Sequence, residues 1–100
     1  MTNDWPFADP ENCATFTTPQ VMRQGMPVLL VTHDEEDGYW QFLHGEVTEE
    51  DQPMIVALKT IISQDPTLKE LADLPIGWQA TRTHKAAPWH RTPKPPDDQP

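Results

Sequence analysis

The stretch Val28-Leu29-Leu30-Val31-Thr32-His33-Asp34-Glu35-Glu36-Asp37-Gly38-Tyr39-Trp40-Gln41-Phe42-Leu43 decides the fold. Two runs of β-forming residues flank an acidic turn, and Asp-Gly between apolar runs is a strong hairpin signal. The expected strands are Val28 to His33 and Tyr39 to Leu43, paired antiparallel. Side chains alternate between faces along a strand, so register decides which residues share a face. Trp40 and Phe42 are placed with Leu29, Val31 and His33, and Val28, Leu30, Tyr39 and Leu43 on the reverse. Both faces are substantially apolar, so cover is expected on both, or partial closure of one by Trp5 and Phe7.

Upstream, Cys13 to Thr17 is rich in β-formers and reads as a strand. Thr18-Pro19 reads as an N-cap followed by proline at the first helical position. That helix runs to Gln24 and stops at Gly25. Downstream, His44 to Pro53 is a polar loop, Met54 to Ala57 a short strand and Leu58 to Gln64 an amphipathic helix. Asp65-Pro66 breaks it and starts another, with Leu68, Leu71 and Ala72 on one face. Gly77 to Thr83 is the last strand, with Trp78, Ala80 and Arg82 on one side. The expected fold is α+β: an antiparallel sheet of four to five short strands with two to three short helices.

Residues 1–85 form the expected single domain. The segment 86–100 holds five prolines (Pro88, Pro93, Pro95, Pro96, Pro100) and, from His90 onward, no apolar side chain besides proline. Such a segment cannot offset its ordering entropy by burial, and it reads as a disordered Pro-rich tail. Trp89 is the exception, either folded back onto the domain or a free hook.

The chain has 100 residues, 36% of them hydrophobic, and 7 basic against 16 acidic side chains give a net charge of −9. A chain so acidic repels phosphate backbones and anionic membrane surfaces, and a basic protein is its natural complement. No basic n-region and apolar h-region open the chain, and no apolar run is long enough to cross a bilayer, so a cytoplasmic location is expected. One cysteine, Cys13, permits no internal disulfide.

Between Arg23 and Lys59 there is no Lys or Arg, and that interval carries eight of the acids. Asp34, Glu35, Glu36 and Asp37 lie on the hairpin turn, and Glu46, Glu49, Glu50 and Asp51 on the following loop. These eight are the candidate partner-binding residues, read either as a docking face or as a solvated rim. An EF-hand spacing fails, because with Gly38 at position 6 the loop would begin and end on His33 and His44. Those histidines share one hairpin face, yet zinc needs two further ligands. Ser63 sits inside a helix and off any G-x-S-x-G elbow, and the glycines are dispersed, so neither a nucleophile site nor a phosphate loop is indicated. Carboxylates in flexible loops keep low pKa values, unsuited to acid catalysis. The reading is a protein without catalytic residues, cofactor or metal.

The run His33 to Gly45, with Gly38, Trp40, Phe42 and Gly45, and the segment Leu58 to Arg82, with Asp65-Pro66-Thr67-Leu68 and Leu74-Pro75-Ile76-Gly77-Trp78, carry a resemblance. They resemble a family of small bacterial proteins of unknown function grouped with predicted immunity proteins of polymorphic toxin systems. The resemblance spans residues 5 to 82 and implies an α+β domain, no cofactor and neutralisation of a toxin. The functional expectation is an acidic, non-enzymatic protein-binding domain, immunity-like in acting on a basic toxin. The alternative is a small-ligand-binding or hydrolytic protein using the histidines and acids of the hairpin.

Overall fold

The computed structural model describes residues 5–35, 38–44 and 54–94. The fold is α+β, with the chain order β1 (Ala14–Thr17), α1 (Pro19–Gln24), β2 (Leu30–His33), β3 (Trp40–Leu43), β4 (Met54–Ala57) and α2 (Leu58–Gln64). A 3-10 helix (Pro66–Leu71), β5 (Trp78–Thr81) and β6 (His90–Pro93) follow. The strands form one sheet in the order β4-β1-β3-β2-β5-β6.

The local signals act as expected. The Thr18 hydroxyl accepts from the Val21 N–H, Pro19 occupies the first turn, and the helix ends at Gly25. The Asp65 carboxylate accepts from the Thr67 N–H ahead of the next helical segment. That segment winds as a 3-10 helix, whose threefold repeat eclipses Leu68 and Leu71 and buries both. The β2–β3 register pairs Val31 with Phe42 and His33 with Trp40, which puts them on one face as the hairpin parity predicts.

Three expectations are corrected. The sheet has six strands among the described residues and is mixed, because β1 lies parallel to β3 while β4 runs antiparallel to β1. A strand inserted between partners distant in sequence has no turn to announce its direction. Next, the tail expected to be disordered from residue 86 contributes β6, antiparallel to β5 with Gln79 opposite Thr92. Its own side chains bury little, but the edge of β5 supplies backbone partners that composition cannot reveal. Third, Val28 is 1% exposed and packs in the core, because β2 begins only at Leu30 and alternation does not extend upstream.

One face of the sheet presents Val31, Trp40, Phe42 and Ala80, all buried. Against it pack Val21 of α1, Leu58, Ile61 and Ile62 of α2, and Leu68 and Leu71 of the 3-10 helix. The N-terminal aromatics join this same face: Phe7 meets Trp40 edge-on at 5.3 Å and Trp5 at 5.4 Å. They therefore do not close the reverse face. The Trp40 indole N–H donates to the Asp9 carboxylate at 2.8 Å, which ties the N-terminal segment over the core.

Arg82, 7% exposed, is the polar hub beside this core. It pairs with Asp65 at 3.0 Å and donates to the carbonyls of Val28 and Lys85 and to the Thr67 hydroxyl. The Trp89 ring covers its guanidinium at 4.2 Å. A buried charge is tolerated only when paired and hydrogen-bonded this fully. Trp89 is thus folded back, and it fixes the start of β6.

Candidate protein-docking face

The reverse face of the sheet carries the side chains that the core does not use. Pairing Phe16 with Gln41 and with Ile55 puts Phe16, Gln41 and Ile55 in one row. Thr32, Gln79 and Thr92 continue that row across β2, β5 and β6. Leu43, Leu30 and Thr81 form the row on one side. Tyr39 and Asp34 lie toward the turn on the other. Every buried helical apolar residue belongs to the opposite face, so among the described residues no helix covers this one.

Its apolar part is concentrated at β4, β1 and β3. Ile55 is 67% exposed and Tyr39 40%. Phe16 contacts Tyr39 with ring centroids 5.6 Å apart. Leu30 and Leu43, opposite one another in register, are half-buried. Toward β5 the surface becomes polar, through Gln41, Gln79 and Thr81. β4 is also an edge of the sheet, and its sequence, Met-Ile-Val-Ala, holds no charge or proline. β6, the other edge, carries both Arg91 and Pro93, devices that discourage strand addition.

The acidic turn borders this face. The Asp34 N–H donates to the Tyr39 carbonyl and the Gly38 N–H to the Asp34 carbonyl, with Gly38 at φ 73. The Asp34 carboxylate pairs with Lys94 at 3.0 Å and accepts from Gln41 at 3.4 Å. It is therefore neutralised and structural, through a lysine sixty residues away in sequence that the charge map of the interval could not include. Glu35 is exposed and lies over Gly77. Gly77 sits at φ 87, and a Cβ there would meet the Glu35 carboxylate at 3.4 Å, so glycine lets the turn settle against the start of β5. Glu36, Asp37, Glu46, Glu49, Glu50 and Asp51 lie outside the described residues.

The two hairpin histidines stand at opposite ends of the hairpin. His33 is in register with Trp40, whereas His44 follows Leu43, four residues further and roughly 13 Å along the strand. His33 stacks on Trp40 at 3.9 Å and its Nδ1–H donates to the Leu74 carbonyl at 2.8 Å. Among the described residues no group of three or more His, Cys, Asp or Glu could hold a metal ion, and no helix could cross a membrane. Burial pushes the Cys13 thiol up from its ordinary value, with Asp9 adding to the effect, so the reactive thiolate is disfavoured.

The exposed apolar strip was not legible in advance, because Phe16 and Ile55 join Tyr39 only through pairings with β1. In comparisons with protein families, characterised proteins and solved structures, nothing matches this chain.

Proposed function

We propose that this chain is a small acidic, non-enzymatic binding module of the cytoplasm whose uncovered sheet face docks a basic protein. The observation that carries the reading is the strip of Phe16, Tyr39, Leu43 and Ile55 on the face that no described helix covers, bordered by the acidic turn. The finer form, in line with the family resemblance, is immunity-like: the face covers the working surface of a basic toxin.

Size argues that the turn takes part. Six strands about 4.8 Å apart and four residues long present a plane of roughly 300 Å². A stable complex needs about 500–800 Å² from each partner. Contact must therefore extend beyond the sheet, and the acidic turn at its rim is adjacent. The apolar strip would supply affinity, and the acids encounter rate and choice of partner. The alternative, a ligand-binding or hydrolytic site on the hairpin, has less support, since His33 and His44 are far apart and His33 is engaged with Trp40 and Leu74.

The test is capture from native lysate with the wild-type chain and with Ile55→Asp, followed by association kinetics against salt with the captured protein. Support requires a basic protein held by the wild type and lost with Ile55→Asp. It also requires kon to depend less on salt once Glu35, Glu36 and Asp37 become Gln, Gln and Asn. Capture unaffected by Ile55→Asp, or an acidic captured protein, would overturn the reading.

A further inference from the structure

A second surface, on the helical side of the molecule, has the opposite electrostatic character. Lys59 and Ser63 stand four residues apart on α2, one turn above one another on its exposed side. Pro66 and Lys69, three apart in the 3-10 helix, are likewise aligned. The N-terminal segment closes the third side. The Glu11 carbonyl accepts from the Lys59 N–H at 2.9 Å, and the Trp5 indole N–H donates to the Asp9 carbonyl at 2.7 Å. This hydrogen bonding stands the indole up as a wall. Together these residues enclose an open cleft of about 270 Å³, with Ile62 and Pro66 as its apolar floor.

The cations of this cleft, like Arg23 and Lys85, differ from the three that are ion-paired. Arg82, Arg91 and Lys94 are each paired with an aspartate. Lys59 and Lys69 form no ion pair or side-chain hydrogen bond among the described residues, and neither does the Ser63 hydroxyl. In a chain of net charge −9, two unpaired ammoniums on one cleft, with Glu11 the one carboxylate lining it among the described residues, form a local inversion of charge. Three free donors, an aromatic wall and an apolar floor define a ligand with an anionic head and a flat apolar body. The volume agrees, since about 150 Å³ accommodates a benzene ring and the remainder suits a phosphate or carboxylate.

We propose that this cleft binds a small aryl anion, a phosphate or carboxylate on an aromatic ring. The ring lies against Trp5, and the head lies between Lys59, Ser63 and Lys69. The site is separate from the sheet face above, and its test does not depend on that reading. The isotope-labelled full chain is titrated with phenyl phosphate by NMR, with inorganic phosphate and benzyl alcohol as the two half-ligands. The expected result is saturable movement of the Trp5 indole N–H and the Ser63 amide, with each half-ligand at least about tenfold weaker. Lys59→Gln with Lys69→Gln should weaken phenyl phosphate at least about fivefold while the core resonances stay in place, and Lys85→Gln, outside the cleft, should not. Shifts that never saturate overturn the proposal. So does equal binding of benzyl alcohol, or unchanged affinity in the double variant.

Discussion

The two faces of the sheet are made from the same strands and differ in what they meet. The face carrying Val31, Trp40 and Phe42 is sealed by α1, α2, the 3-10 helix and Phe7. The face carrying Phe16, Tyr39, Leu43 and Ile55 is also rich in apolar atoms, yet no described helix lies on it. Hydrophobic side chains therefore do not of themselves mark the core here. Position relative to the helices does, and an apolar strip that no described helix covers on a small acidic chain is a surface available for contact.

The comparison is broken most directly by paired truncations. Phe42→Ala removes a fully buried ring and should cost about 3–5 kcal/mol in denaturant melts. Ile55→Ala, on the open face, should change stability by less than about 0.5 kcal/mol. Similar losses from the two would mean that the open face is as well packed as the core.

The tail sharpens the contrast between edges. Truncation after Ala86 removes Trp89 from Arg82, β6 from β5, and the Lys94 partner of Asp34. A loss of about 1–2 kcal/mol is expected, mostly from uncovering the Arg82 guanidinium. For a domain of this size each kcal/mol lowers Tm by about 4–8 °C. An unchanged Tm would mean that β6 is an ornament on the edge and not part of the cooperative unit.

The smallest expected effect is a pH dependence of β6. Arg91 hydrogen-bonds the Asp73 carboxylate at 2.6 Å and, with its charge, holds that group below its ordinary value of 3.8. A depressed carboxylate pKa contributes stability that is complete above the unfolded value and is lost as pH falls through the folded one. Asp73 is fully exposed, so the contribution is small. Amide protection at Arg91 and Thr92 should decline relative to Ala80 once the pH drops below 3.8, and Asp73→Asn should abolish the difference. A constant ratio down to pH 2.5 would dissociate the ion pair from strand attachment.

Much of the fold was legible because its determinants are local. The sharing of faces across the hairpin follows from the two-residue period of its strands. The caps at Thr18-Pro19 and Asp65-Pro66 follow from hydrogen-bonding groups within three residues of each helix start. The same period assigns Trp40 and Phe42 to one face, and both are buried. The acidic turn was legible as a charge cluster, but not the engagement of Asp34 by Lys94.

What only the tertiary structure decided depends on partners far apart in sequence. The insertion of β1 between β3 and β4 carries no turn signal, yet it brings Phe16 beside Tyr39 and Ile55 and so creates the open apolar strip. The addition of β6 relies on an unpaired edge and on the Arg82 hub, neither of which is encoded in the proline-rich segment itself. Alternation and capping act over a few residues and can be read along the chain. Which face is covered, and which cation is left unpaired, emerges only when distant elements compete for the same surface.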